Sequence, residues 1–227
     1  KKNNEIMDIA TKQEEKQLDI LKVNIINNTR EAAIKTGNGD LMQLYIDKWK
    51  QLPENYRKGS LTELELTKLS LQKNDKGYKE LAIKYMDSIM NDKPISQIQK
   101  EDKEFYLRFK ENYDKKPSQT GAKGLKGYEE GKITGRNIRL IDVLGHNFLK
   151  KAVDKSDYKT LEKWIKYGYE LQPNSYFMDN LMADMYGQQG DTKKAIELKK
   201  KAVSKWPTDD KKYSSKAYEL EQMQNNK

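Results

Sequence analysis

SYFMDNLMADMYGQQGDTKKAIELKKKAVSKWP, residues 175–207, carries the clearest structural pattern in the chain. Apolar side chains recur in both halves of this stretch mostly at intervals of three and four residues, the spacing that places them on one face of a helix. These positions are Met178, Leu181, Met182, Met185 and Tyr186 in the first half, and Ile196, Leu198, Ala202, Val203 and Trp206 in the second. The stretch therefore predicts two short helices.

A tight turn is predicted between the two helices. Gly190 permits the left-handed backbone conformation that commonly ends a helix. Asp191 can accept hydrogen bonds from the free N–H groups at the start of the following helix. Pro207 cannot extend a helix, so the second helix is expected to stop there. We expect the two helices to fold back on each other.

The placement of small residues in the same stretch resembles a tetratricopeptide (TPR) repeat, a unit of about 34 residues in which helix A packs on helix B. Ala183 matches the small site of helix A and Tyr186 its aromatic site, while Ala195 and Ala202 match the small sites of helix B. Lys199 departs from the pattern, because a large apolar or aromatic residue is usual there, so one packing contact is expected to be missing. An ordinary antiparallel helix pair is the alternative interpretation.

The TPR resemblance implies an all-α fold of antiparallel helix-turn-helix repeats that form a right-handed α-α superhelix, with about ten helices in all. Residues 1–116 are interpreted as degenerate helical repeats. Residues 138–227 are interpreted as TPR-like repeats with a closing helix of the kind that an exposed solenoid end requires.

Residues 117–137, PSQTGAKGLKGYEEGKITGRN, differ in composition from the rest of the chain and contain five glycines. No helical stripe of apolar residues runs through them. They are predicted to form a loop or a small hairpin that joins the two helical halves. Their Gly-Lys pair does not fit the phosphate-binding pattern, in which four residues separate the glycines and Ser or Thr follows the lysine.

Two adjacent segments support a second, narrower resemblance: DKSDYKTLEKWIKYGYELQPN, residues 154–174, and SYFMDNLMADMYGQQGDTKKAIELKKKAV, residues 175–203. Together they resemble the helical tail that follows thioredoxin-like domains in some bacterial envelope proteins. This implies a periplasmic or cell-envelope location, with the cytoplasm as the alternative, and an accessory role beside a thiol-disulfide domain absent from this chain. The chain has no redox motif. A Cys-x-x-Cys domain encoded upstream of Lys1 would support this role, and a start codon directly before Lys1 would reject it.

The chain shows no catalytic constellation, so we expect a non-enzymatic protein without cofactor or metal. His146 is the single histidine, and no glutamate lies at the spacing that a metal site would use.

The TPR pattern places His146 and Lys150 on the concave side of one helix A. It gives Asn180 and Asp184 the equivalent places on the next, with Phe177 one turn earlier. In the TPR family these places line a peptide-binding groove, so the resemblance implies that these five residues contact a protein or peptide partner. An ordinary exposed surface is the alternative.

Composition narrows the function classes further. Cysteine is absent, which excludes disulfides and thiol catalysis within the chain. The net charge of +9 comes mostly from lysines that are interspersed with acidic residues. Because nucleic-acid recognition favours arginine, we interpret this charge as a solvated surface and expect no nucleic-acid partner. No apolar run approaches the roughly 20 residues of a transmembrane helix, so no transmembrane segment is expected.

Overall fold

The computed structural model describes residues 2–57 and 59–225, with the side chains of residues 2–12, 15 and 16 left out. In the described ranges the chain forms eleven α-helices, one short 3-10 turn and no strand. The helices are α1 (Lys2–Thr36), α2 (Gly39–Gln51), α3 (Leu61–Leu71), α4 (Asp75–Asp92), α5 (Ile95–Lys115), α6 (Gln119–Glu129), α7 (Lys132–Leu149), α8 (Lys155–Leu171), α9 (Tyr176–Gln188), α10 (Thr192–Lys205) and α11 (Tyr213–Asn225). The all-α prediction is confirmed.

None of the helices that the structure describes is both long enough and apolar enough to cross a membrane. This agrees with the absence of a long apolar run in the sequence.

The chain divides into two compact units, residues 1–82 and residues 83–227. The first unit is built on α1, α2 and α3. Its core contains Met42, Tyr45, Ile46 and Trp49 from α2, with Ala33 of α1 and Leu64 of α3 packed against them. The apolar face of α2 is therefore the centre of this unit.

In the second unit, α7 packs against α8 and α9, α9 packs against α10, and α10 packs against α11. Phe148 of α7 and Trp164 of α8 meet edge to face, with ring centroids 4.9 Å apart, and both side chains are fully buried. Such an aromatic contact adds about 0.5–1.5 kcal/mol to the stabilisation that burial provides.

The helix pair predicted for residues 175–207 is confirmed as α9 and α10. Gly190 adopts a φ of +86° at the turn, and the Asp191 side chain accepts a hydrogen bond from the N–H of Lys194 at 3.1 Å. α10 ends at Lys205, two residues before Pro207. Ala183, Ala195 and Ala202, the small residues of the pattern, are fully buried, and its apolar positions are buried or half-buried.

The prediction of a loop or hairpin at residues 117–137 is wrong, because α6 and the start of α7 cover most of this segment. Glycine lowers helix propensity, but tertiary packing overrides that preference here. A β-carbon on Gly121 would lie 2.8 Å from the Tyr113 ring, and one on Gly124 would lie 2.8 Å from the Phe109 ring. The glycines therefore let α6 approach the aromatic side chains of α5.

Asp102 of α5 caps the start of α7 from across 31 residues of chain. Its carboxylate accepts hydrogen bonds from the N–H of Ile133 at 2.6 Å and from the N–H of Thr134 at 3.0 Å. Asp102 is buried, and Gly131 next to it has a φ of +89°. A β-carbon on Gly131 would lie 2.7 Å from Asp102 Oδ2. Only glycine fits this junction without displacing the cap.

We expect the Gly131→Ala variant to lose about 2 kcal/mol of unfolding free energy, since it adds both backbone strain and a clash with the capping carboxylate. Gly127→Ala is the matched control: it lies in α6, and its β-carbon would meet nothing within 4 Å. That variant should gain up to about 1 kcal/mol, because alanine favours the helix. Urea denaturation followed by circular dichroism measures both, and equal stabilities for the two variants would contradict the assignment.

Candidate functional site

A network of charged and polar side chains joins four helices of the second unit. It contains three of the residues that the TPR pattern singled out, together with four that it did not. Its members are Asp142 and His146 on α7, Asn180 and Asp184 on α9, Lys199 on α10, and Lys216 and Glu219 on α11.

Lys199 is the centre of this network, and its side chain is fully buried. Its ammonium group lies 2.7 Å from Asn180 Oδ1, 2.9 Å from Asp184 Oδ1 and 2.6 Å from Glu219 Oε2. An ammonium group has three N–H donors, so each donor has one acceptor. The expectation that a contact is missing at Lys199 is therefore wrong. The lysine makes polar contacts with two other helices where the repeat pattern has apolar packing.

His146 is held between two carboxyl groups. Its Nδ1 lies 2.7 Å from the Asp142 carbonyl oxygen and 3.1 Å from Asp142 Oδ1, and its Nε2 lies 3.0 Å from Asp184 Oδ2. Burial alone would lower the pKa of His146, but the hydrogen bonds to Asp142 and Asp184 outweigh it and raise the pKa to about 9. At neutral pH the ring is therefore an imidazolium that donates from both nitrogens.

The amide of Asn180 is oriented by its charged neighbours. Lys199 has donors only, so the amide oxygen must face it. The amide nitrogen then lies 3.3 Å from Asp184 Oδ2 and donates to it. Asp184 thus receives hydrogen bonds from an imidazolium, an ammonium and an amide.

The carboxyl groups of Asp184 and Glu219 are both stabilised in their charged form. Burial by itself would raise the pKa of Asp184, but His146 and Lys199 outweigh it and lower that pKa. Burial likewise opposes ionisation of Glu219, and Lys199 and Lys216 hold the pKa of Glu219 below its usual value. Three cations therefore face three carboxyl groups in the network.

A second, smaller cluster of hydrogen-bonded side chains is centred on α9. Asp179 of α9 is fully buried. Its carboxylate accepts hydrogen bonds from the Tyr169 hydroxyl at 2.8 Å and from Lys205 at 2.7 Å, and Lys201 lies 3.3 Å away. Burial, together with the hydrogen bond to Asp179, raises the pKa of Tyr169. This cluster fastens α9 to α8 and α10.

The structure brings together three of the five predicted partner-binding residues, His146, Asn180 and Asp184. Phe177 lies instead in an aromatic cluster, with its ring 4.4 Å from Tyr176 and 5.4 Å from Trp206. Lys150 is exposed at the end of α7. The predicted set therefore separates into a hydrogen-bonded trio, an aromatic contact and a surface lysine.

Sequence reasoning noted Lys199 only as a departure from the repeat pattern, and it missed Asp142, Lys216 and Glu219. The one available signal was Lys199 itself, a charged residue between Ile196 and Ala202 on the buried face of α10. Its acceptors lie 15, 19 and 20 positions away in the chain, on two other helices. Spacing along a single helix could not reveal them.

The described part of the chain contains no group of three or more His, Cys, Asp or Glu side chains arranged to hold a metal ion. Comparison of the chain with protein-family models, curated proteins and solved structures finds no match. The resemblances to TPR repeats and to the tail of envelope thioredoxin-like proteins therefore stay predictions.

Proposed function

We propose that this chain is a non-enzymatic helical scaffold that binds a protein or peptide on the face formed by α7 and α9. In this proposal, the pairs α7–α8 and α9–α10 are TPR-like repeats stacked side by side in a right-handed superhelix. The buried alanines Ala183, Ala195 and Ala202 support it, because small residues let helix axes approach closely where they cross.

The observation that carries the proposal is a row of partly exposed charged groups held in fixed positions. The side chains of His146, Asp184 and Glu219 are 26%, 29% and 37% exposed. Each is hydrogen-bonded to a buried or half-buried partner behind it. Side chains that are already ordered lose little conformational entropy when a ligand binds, which favours affinity.

The charges of this row indicate the kind of ligand it would take. His146 and the exposed Lys150 present positive charge from α7, while Asp184 and Glu219 present negative charge from α9 and α11. A peptide that carries both acidic and basic side chains complements such a row, and complementary charges favour both specificity and the rate of association.

The state of His146 argues against a role for this ring as a general base. A general base must be unprotonated at the working pH, and catalysis favours a pKa close to that pH. The two flanking carboxyl groups raise the pKa of His146 to about 9, so the ring is charged at neutral pH.

The test begins with a photo-crosslinking amino acid at position 150, followed by identification of the captured protein and measurement of its affinity in purified form. We expect Lys150→Glu to weaken that affinity at least tenfold without a change in melting temperature, since Lys150 is exposed. Lys166→Glu is the matched control, because this lysine is also exposed, with its side chain 80% accessible, but lies on α8. Equal affinities for the two variants and the unaltered protein would reject this face as the binding site.

A further inference from the structure

The first unit presents an apolar stripe on α1 that α2 does not cover. Leu18, Leu21 and Ile25 are 55%, 55% and 58% exposed. They are spaced i, i+3 and i+7 along the helix, so they lie on one face. The face of α1 that packs into the core is a different one, represented by Ile26 and Ala33. The stripe is therefore additional to the packing that holds the unit together.

The stripe continues into a groove between α1 and α2 with a volume of about 520 Å³. Ile25, Ile26, Leu44 and Leu52 provide its apolar lining, and Lys22 and Lys48 lie among the polar residues at its edge. Leu44 of α2 is 48% exposed. Its apolar surface joins that of Leu18 and Leu21 through Ile25, which belongs to both.

The length of α1 leaves much of the stripe without a neighbouring helix. At 1.5 Å per residue, the 35 residues of α1 extend about 52 Å and the 13 residues of α2 about 20 Å. α2 folds back from Gly39, so it can lie beside only the last third or so of α1. Leu18 and Leu21 precede that part.

The sequence of α1 places the stripe in a seven-residue repeat. Positions 4, 7, 11, 14, 18, 21, 25, 28 and 32 alternate by three and four residues, and Met7, Leu18, Leu21, Ile25 and Ala32 occupy five of them. A seven-residue apolar repeat is the pattern by which one helix pairs with another along its length.

We propose that the stripe is the interface for a second copy of this chain, with the α1 helices of the two copies paired antiparallel and Glu14 of each copy reaching the lysines at the edge of the other's α1–α2 groove. A parallel pair would place Lys22 beside Lys22 and Glu14 beside Glu14. An antiparallel pair centred between Leu18 and Leu21 places Glu14 of one copy beside Ile25 of the other, near Lys22 and Lys48. Opposite charges then meet at both ends of a symmetric interface.

The size of the stripe predicts a weak dimer. Leu18, Leu21, Ile25 and Leu44 each leave on the order of 100 Å² exposed, so two copies contribute about 800 Å² of side-chain area. That apolar area is below the range for specific complexes, which begins near 1,200 Å² in total, so flanking polar residues must supply the remainder of a specific interface. We expect dissociation in the micromolar range, and therefore monomer at low and dimer at high protein concentration.

Sedimentation velocity between about 1 and 200 μM tests the association. Leu21→Lys should weaken dimerisation at least tenfold. Ile20→Lys is the matched control, because Ile20 is a 46% exposed apolar residue on the opposite face of the same helix, and this variant should dimerise like the unaltered chain. A monomer at all concentrations, or equal weakening by both variants, would overturn the proposal.

Disulfide formation tests the antiparallel register, since the chain has no cysteine of its own. A mixture of the Glu14→Cys and Ile25→Cys variants should give a cross-linked heterodimer under mild oxidation, whereas Glu14→Cys alone should remain uncross-linked. Efficient cross-linking of Glu14→Cys with itself would establish a parallel pair and overturn the proposed geometry. Failure of the mixture to cross-link would also overturn the proposed register.

Discussion

Replacement of Lys199 by methionine is expected to lower the free energy of unfolding by about 3 kcal/mol. Methionine fits the space of the lysine side chain but has no donor. Asn180 Oδ1 would lose its hydrogen bond, and Asp184 and Glu219 would each lose one of their cations. Removal of one member of a buried charged group is costly because the remaining members stay away from water without compensation.

This expectation has the opposite sign from the one that the repeat pattern alone supports. If Lys199 replaced a large apolar residue at the cost of a packing contact, methionine would stabilise the protein. Urea denaturation of both forms decides between the two. Lys200→Met, at the neighbouring exposed position, is the control and should change stability by no more than about 0.5 kcal/mol. A Lys199→Met protein as stable as the unaltered chain would show that the network contributes no net stabilisation.

Stability is expected to decline as the pH rises from about 6.5 to about 9, through the deprotonation of His146. The folded protein raises the pKa of this ring from 6.5 to about 9, so the folded state binds the proton more tightly than the unfolded state does. The resulting stabilisation is complete below pH 6.5 and is lost as the pH passes through the folded-state value. The shift corresponds to about 3 kcal/mol.

His146 is the single histidine of the chain, so the Hε1 proton of its ring gives one isolated NMR signal that reports the pKa directly. A titration midpoint near 6.5 would contradict the proposed pairing with Asp142 and Asp184. His146→Gln is the control for the stability measurement, because the decline between pH 6.5 and 9 should disappear in that variant. The variant should also be less stable than the unaltered protein at pH 6.5 and similar to it at pH 9.5.

The parts of the fold that follow local rules could be predicted from the sequence. The α9–α10 pair depends on apolar spacing, on Gly190 at the turn and on Asp191 at the cap, and all three act over a few residues. The helical state of residues 117–137 could not be predicted in this way. It depends on Gly121 and Gly124 meeting aromatic side chains of α5, which are 8 and 15 residues earlier in the chain.

The members of the candidate site were predicted only in part, again because local rules and the repeat period do not reveal partners on distant helices. The repeat pattern selected His146, Asn180 and Asp184, since positions on successive helices follow from the repeat period. It could not select Glu219, because nothing in its neighbourhood on α11 distinguishes this residue from other surface glutamates. The same limit made Lys199 look like a departure from the pattern, although it is the residue that joins α9, α10 and α11.

The manner in which α11 is attached has a practical consequence for protein production. No side chain of this helix is fully buried in residues 213–225, and the ionic contact of Glu219 with Lys199 of α10 contributes to its attachment. A shortened protein that stops at Pro207 would open Lys199 to solvent and remove one of its acceptors. Truncation of the polar last helix for crystallisation would therefore alter the interior of the protein.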